Sequence, residues 1–307
     1  MGVWGRALPP PLEKRTERGE SVDDLQRWEM LCDVDVSGET IADPAQVRGA
    51  FYRTKSTRSG DMLELDIYPL FGREEKRRLR RHNPTPTAMA NLNRRNAEKK
   101  FRRLAEINFR HKEDYYFTGT ISPGPGRSLP TLEQVNRLYT RFIRRVNYRR
   151  KKLGLGPCRH MGVIEGYEEG SRMKRLHVHA LIEGGLDRDT MEALWGEGMI
   201  SQCRRLEKPM LDQLCAYLLK DPRGRKRWRY SRNLERPKVT VADRKITARA
   251  AWRLYTDAAG RAAALERIYK GYTVEFVEAR TNPYMPGVYI AARLWKGGRR
   301  GDEQRIP

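Results

Sequence analysis

The chain has 307 residues and a formal net charge of +23, because 62 lysines and arginines outnumber 39 aspartates and glutamates. This excess predicts a polyanionic partner, which we expect to be a nucleic acid. No apolar run approaches the roughly 18 residues that a membrane helix needs, so we expect no membrane partner. The cysteines form no CxxC pair and the first residues resemble no signal peptide, so we expect a cytoplasmic protein.

The first part of the chain, residues 1–85, carries the weakest pattern. Residues 1–27 combine prolines and charges with little periodicity, and we expect part of this basic region to be flexible. Residues 61–68 alternate as a strand does, without indicating a partner strand. A basic run at 76–81 and a proline- and threonine-rich stretch at 82–87 predict a linker.

A basic amphipathic helix is predicted next, within residues 86–110. Ala97, Phe101, Leu104 and Ala105 form its apolar stripe. Residues 73–112 contain 14 lysines and arginines against 4 acidic residues, so the other face of the helix is basic. The helix either follows a phosphate backbone or lies on the domain that comes after it.

That domain is predicted to span residues 111–236. It begins with a strand at 115–122 that carries two small polar residues, Thr118 and Thr120. Thr131 and Gln134 have the spacing of a capping box and open a long helix. The surface of this helix is rich in arginine.

Two histidines one residue apart stand in the next strand. Side chains alternate between the faces of a strand, so His177 and His179 point the same way. Residues 159–165 read as another strand, and residues 168–172 have the composition of a turn. An antiparallel hairpin would place Glu165 beside His177, about 5 Å away. Two imidazoles and a carboxylate suit Mg²⁺ or Mn²⁺ held beside a phosphate.

A closed zinc site is the rival interpretation of this hairpin. Cys158, His160, His177 and His179 have the donor types that structural zinc prefers. His160 precedes Glu165 by an odd number of residues, so a regular strand places the two on opposite faces.

Residues 208–222 predict a helix bracketed by prolines. Tyr217 and Lys220 fall away from its leucine-rich face, so the core does not require them. A phenol at this position could attack phosphorus while the ammonium stabilises the charge. The alternative is a partly buried tyrosine beside a solvated lysine. Beyond the helix, Trp228 and Tyr230 are either stacking platforms for unpaired bases or ordinary sheet residues.

The last part, residues 237–307, is predicted to be a small α/β extension that is alanine-rich and helical over 248–270 and has strands at 272–277 and 287–295. The order of elements in the central domain predicts an α+β fold, an antiparallel sheet with helices packed on one face and the other face left for DNA. No GxxxxGK[ST] motif is present, so we expect no helicase activity driven by nucleoside triphosphates.

Three motifs in this order resemble those of the HUH endonucleases, specifically the initiators of rolling-circle replication. They are the strand at 116–122, His177-Val178-His179, and Tyr217 with Lys220 three residues on. The resemblance covers about residues 85–236. It departs from the phage-type initiators in having no second tyrosine before Pro222, which indicates a single-tyrosine enzyme. Gly119 also stands where a larger residue is common.

The resemblance implies an HUH/RRM-like palm that nicks and rejoins single-stranded origin DNA, held in a hairpin, with a host helicase and polymerase in a bacterial cell. Tyr217 would form a 5′-phosphotyrosine with help from Lys220, and Glu165, His177 and His179 would hold Mg²⁺ or Mn²⁺. The predicted DNA contacts are Thr118, Thr120, Arg144, Arg145, Arg175, Arg225, Lys226 and Trp228.

Other functions stay open at this point. A mobilisation relaxase or a tyrosine transposase of the same superfamily uses the same motifs, and an initiator that has lost catalysis acts as a repressor. A non-catalytic nucleic-acid-binding protein with a structural zinc hairpin belongs to a different class.

Overall fold

The described residues fold around two antiparallel sheets of five strands each, which makes the fold α+β. The structure, a computed structural model, describes residues 51–70, 72, 86–121, 130–165, 176–196, 201–207, 228–282 and 285–297. Its strands are β1 (Tyr52–Ser59), β2 (Met62–Pro69), β3 (Tyr115–Thr120), β4 (His160–Glu165), β5 (His177–Ile182), β6 (Ser201–Arg205), β7 (Trp228–Tyr230), β8 (Lys238–Asp243), β9 (Tyr272–Asn282) and β10 (Met285–Lys296). Its helices are α1 (Pro86–Asn108), α2 (Leu132–Lys152), α3 (Arg188–Ala193), α4 (Ala248–Thr256) and α5 (Arg261–Ile268).

The sheet in the middle of the chain, here called the histidine sheet, has the strand order β6-β3-β5-β4-β7. Helices α2 and α3 cover one of its faces, where Phe117 stacks on Phe142 with ring centroids 4.7 Å apart. Thr131 caps α2 in the predicted capping box, and Asp187 caps α3 as its side chain accepts a hydrogen bond from the Thr190 amide. These caps fix where the two helices begin.

Helix α1 lies against the opposite face of the same sheet. Phe101, Leu104 and Ala105 are buried there in one cluster with Met161 and Val163 of β4. The described helices of the central domain, α2 and α3, share one face as predicted, and α1 takes the second of its two predicted roles by lying on the domain, so the other face is not left wholly open. The apolar stripe of α1 was predicted, but a stripe does not say which surface it covers. The helix occupies one end of this face and the histidine pair lies toward the other.

The second sheet, here called the terminal sheet, has the order β8-β1-β2-β10-β9 and joins segments far apart in the chain. The predicted strand at 61–68 is β2, and its partners are β1 and β10. Helices α4 and α5 cover its apolar face. The stretch predicted to be helical, residues 248–270, contains two helices, because Asp257 ends α4 and its carboxylate accepts a hydrogen bond from the Gly260 amide before α5 begins.

Ion pairs join α1 to the terminal sheet. Arg103 contacts Glu64, and Lys99 Nζ lies 3.5 Å from a carboxylate oxygen of Asp66. Helix α1 thus has an apolar side on the histidine sheet and a charged side on the terminal sheet. None of the helices in the described residues is long and apolar enough to cross a membrane.

Candidate functional site

The predicted antiparallel pairing of β4 and β5 is confirmed. Glu165 pairs directly with His177, and Val163 pairs with His179. On the other side of β5, Thr120 pairs with His177 and Thr118 with His179. Paired residues share a face of the sheet, so the two threonines and Glu165 flank the histidines on the face opposite α2.

Hydroxyl groups hold one nitrogen of each imidazole. Thr120 Oγ1 lies 3.1 Å from Nδ1 of His177, and Thr118 Oγ1 lies 3.2 Å from Nδ1 of His179. The phenol of Tyr116 is also 3.1 Å from Nδ1 of His179, a contact that the sequence did not indicate. A metal-ligating histidine usually donates its second ring N–H to a carboxylate, a carbonyl or water, which fixes the ring and the tautomer; a hydroxyl oxygen can accept that N–H in the same way.

Nε2 of His179 lies 3.2 Å from Oε2 of Glu165. If two ligand atoms each lie about 2.1 Å from one ion and the angle between them at the ion is about 90°, the two atoms are about 3 Å apart. The distance between Nε2 and Oε2 therefore fits a shared divalent cation. The rings of His177 and His179 have their centroids 6.3 Å apart. Among the described residues, no group of three or more His, Cys, Asp or Glu side chains is close enough to hold an ion. Glu165 and His179 thus have the spacing of a ligand pair, and His177 is the next histidine on the same face.

Burial keeps His179 neutral. Its removal from water, and then the neighbouring His177, lower the pKa of His179 to about 4. A neutral imidazole is the form that binds a metal ion, so no proton has to be displaced from this ring near pH 7.

The rival zinc set is not assembled. Nδ1 of His160 lies 2.9 Å from the phenol oxygen of Tyr139 on α2, so His160 faces the side of the sheet opposite His177 and His179. Cys158 is buried, with its thiol 3.3 Å from the carbonyl of Arg159. The face on which His160 lies agrees with the odd spacing noted in the sequence.

Gly119, between the two threonines, is explained by packing on the other face. A Cβ at this position would lie 2.7 Å from the indole of Trp195 and 2.8 Å from the ring of Phe117. The indole N–H of Trp195 also donates to the carbonyl of Thr120 over 3.1 Å. The buried Trp195 therefore occupies the space that a larger residue would take.

The predicted DNA contacts are spread over the domain. Arg144 is exposed on α2, whereas Arg145 donates to the carbonyls of Leu194 and Trp195 at the end of α3. Trp228 lies on β7, on the histidine face, and packs edge-on against Phe101. The other predicted site residues lie outside the described residues: Arg175, Tyr217, Lys220, Arg225 and Lys226.

An aromatic pair borders the histidine face at the β7 edge of the sheet. Trp228 pairs with Val163, which itself pairs with His179, so all three lie in one row across the strands. Tyr230 has its ring centroid 4.7 Å from that of Trp228, and Lys100 Nζ lies 5.9 Å from both centroids. The arrangement offers an exposed ring and a cation beside the candidate metal ligands.

Comparison with known proteins found no matching family model, no similar curated protein and no similar solved structure.

Proposed function

We propose that the protein is a single-tyrosine HUH endonuclease that initiates rolling-circle replication by nicking and rejoining single-stranded origin DNA. The observation that carries the proposal is the histidine pair. Two adjacent imidazoles on β5 have their Nδ1 atoms held by β3 hydroxyls, and a carboxylate from β4 lies 3.2 Å from one Nε2. Burying these polar groups costs free energy that an apolar core would not, whereas oriented imidazoles beside a carboxylate are typical of metal sites.

In this proposal the histidine sheet is the HUH/RRM-like palm, and Glu165, His177 and His179 hold Mg²⁺ or Mn²⁺. The ion, when bound, polarises the scissile phosphate. Thr118 and Thr120 keep the imidazoles oriented. Trp228 and Tyr230 accept an unpaired base at the edge of the same face. The net charge of +23 supports a polyanionic substrate.

Tyr217 is the proposed nucleophile. Its phenol oxygen forms a bond to phosphorus as the bond from phosphorus to O3′ breaks, which leaves a free 3′-hydroxyl and a 5′-phosphotyrosine. A phenol has an ordinary pKa of about 10, so it must lose its proton as it attacks; that proton ends on the departing O3′, and the ammonium of Lys220 stabilises the negative charge that develops in between. The free 3′-hydroxyl then primes synthesis by host enzymes in the cytoplasm.

The test is covalent capture on a randomised single-stranded DNA pool with Mn²⁺ or Mg²⁺. We expect a denaturant-resistant adduct that chelator and Tyr217→Phe both abolish. Tyr230→Phe serves as the matched control and keeps the adduct. An adduct lost only in Tyr230→Phe would identify Tyr230, and not Tyr217, as the nucleophile. Cleavage unchanged in a His177→Ala, His179→Ala double variant would refute the metal site.

Sequencing the captured DNA separates initiation from the related reactions. A relaxase or tyrosine transposase would form the same adduct at a transfer origin or an element end. Replication initiation requires the captured site to direct copying of a circle in the host.

A further inference from the structure

An exposed stripe of arginines runs along the outer surface of α2. Arg137, Arg141, Arg144 and Tyr148 follow one another at intervals of three or four residues, so they lie on one face of the helix. All four are exposed, whereas Val135, Tyr139, Phe142 and Val146 are buried against the sheet. The stripe therefore faces away from the histidine sheet, on the side opposite the candidate metal ligands.

Two arginines of this stripe keep an unpaired charge within the described residues. Arg137 and Arg144 form no ion pair with a carboxylate of the described residues. Arg149, Lys151 and Lys152 extend the positive charge through the last turn of α2. A groove between α2 and α3 runs beside it, lined by Arg141, Arg144, Tyr148 and Arg149 along α2 and by small or apolar residues of α3.

Because the basic side chains lie along a rigid helix, they match a ligand whose charges are also held in a fixed, extended row. At about 1.5 Å per residue, the distance from residue 137 to residue 152 is roughly 22 Å, and over this length the charges lie on a straight line. Duplex DNA is a stiff polyanion with one charge per about 1.7 Å of its axis. A straight row of long basic side chains fits its backbone and reads no bases.

The pair of aromatic rings proposed above to stack on unpaired bases lies on the other side of the sheet. Sites for unpaired nucleic acid combine positive charge with open aromatic faces. On α2, Tyr148 is exposed and Lys152 Nζ lies 4.7 Å from its ring centroid, so a cation already lies over one face of that single ring. Trp228 and Tyr230, in contrast, lie on the histidine face.

We propose that the outer face of α2 is a second nucleic-acid surface that binds the phosphate backbone of duplex DNA without regard to sequence. This goes beyond the proposed nicking chemistry and does not depend on it. It assigns Arg144 to the duplex surface, while Arg145 holds the end of α3. Arg229 on β7 donates to Thr140 Oγ1 over 3.4 Å and extends the basic surface toward the sheet edge.

The test compares two triple variants that remove the same charge from exposed helix positions. One is Arg137→Ala, Arg141→Ala, Arg144→Ala in α2, and the control is Arg249→Ala, Arg253→Ala, Arg267→Ala in α4 and α5. Affinity of the full chain for a blunt duplex of arbitrary sequence is measured with chelator over a range of salt. Each lost phosphate contact reduces the slope of log affinity against log salt concentration by about 0.9 in magnitude. The α2 variant should therefore show a slope smaller by about 2 to 3 and an affinity at least ten-fold lower near physiological salt.

The control variant, and a lysine version of the α2 triple, should bind duplex as the unmodified chain does. Unchanged thermal unfolding of the α2 variant establishes that it folds. Equal weakening in the two alanine variants would overturn the proposal, because it would reflect net charge alone. Equal loss of single-stranded binding, or loss of phosphatidylserine-vesicle binding in place of duplex binding, would also overturn it. Capture of a Tyr217 adduct is scored separately, so the two proposals fail independently.

Discussion

The carboxylate of Glu165 on β4 reaches diagonally to His179 on the neighbouring strand β5. Its backbone pairs with His177, yet its Oε2 lies 3.2 Å from Nε2 of His179. Diagonal neighbours in an antiparallel pair are about 7 to 8 Å apart, so only a long side chain spans that gap. The length of glutamate therefore matters here as much as its charge.

Shortening Glu165 is expected to weaken metal binding although the charge stays. Glu165→Asp removes one methylene, so the carboxylate no longer reaches His179. We expect Mn²⁺ affinity, followed by calorimetry, to fall about ten-fold or more, in the range seen when a ligand set is disturbed. Glu183→Asp is the control, because Glu183 pairs with Arg150 and Arg159 away from the histidines. Equal Mn²⁺ affinity in Glu165→Asp and the unmodified chain would remove Glu165 from the ligand set.

The threonine hydroxyls are expected to matter through the imidazoles they orient. Replacing Thr118 and Thr120 by valine keeps the side-chain shape, removes the contact to Nδ1 of His177 and leaves Nδ1 of His179 with the Tyr116 phenol alone. Losing such partners typically costs 10- to 100-fold in metal affinity, and we expect the Mn²⁺ dissociation constant to rise by about that factor. Thr54→Val is the matched control. The Thr54 hydroxyl is buried with no hydrogen-bond partner among the described residues, so this change should leave metal binding unaltered and stabilise the fold.

The hairpin could be predicted from sequence because its signals are local. Alternation put His177 and His179 on one face, and the turn composition at 168–172 set the register with Glu165. The same alternation placed His160 on the other face. Each of these inferences needed only neighbouring residues and strand geometry.

Long-range pairing could not be predicted in the same way. Strand β2 pairs with β10, more than 200 residues further along, and nothing in the alternation of residues 61–68 identifies that partner. The side of the sheet that α1 covers was also missed, because its apolar stripe fits either face. The contact between Tyr116 and His179 depends on the pairing of β3 with β5, so it too required the fold.

Gly119→Ala is expected to destabilise the protein by roughly 1 to 3 kcal/mol, because the new methyl group would overlap buried rings. The added Cβ would lie 2.7 Å from Trp195, which is fully buried and has no room to withdraw. Gly156→Ala is the control, since a Cβ there meets nothing within 4 Å. Urea unfolding of both variants is the measurement. A Gly119→Ala protein as stable as the Gly156→Ala protein would mean that Trp195 does not pack as described.

Acid is expected to destabilise the fold through His160. Burial lowers the pKa of His160 to about 4, against about 6.5 in an unfolded chain. Between these values the unfolded chain binds a proton that the folded chain does not, so this contribution to stability is complete above about pH 6.5 and is lost as the pH falls toward 4. His160→Asn removes the titration. We expect its unfolding free energy to fall less steeply than that of the unmodified chain from about pH 7 to about pH 4.5. Parallel slopes would contradict the prediction.

Tyr230 is expected to contribute to single-strand affinity by stacking on a base. Its side chain is 43% exposed, and its ring lies beside Trp228 and within 5.9 Å of Lys100 Nζ. Stacking of one base on an aromatic ring is worth about 1 to 3 kcal/mol, so Tyr230→Ala should weaken binding of a short oligonucleotide by roughly 5- to 150-fold. The matched control is Phe276→Ala on the terminal sheet, where the ring is 44% exposed.

Fluorescence anisotropy with a labelled single strand, at fixed salt and with chelator, separates stacking at β7 from the metal chemistry. Tyr230→Phe should keep most of the affinity, since the stacking face remains. If Phe276→Ala weakened binding as much as Tyr230→Ala, non-specific contact with exposed rings would explain the affinity, and β7 would not be the binding site for the single strand. If neither substitution changed it, the single strand would follow a path that avoids the β7 edge altogether.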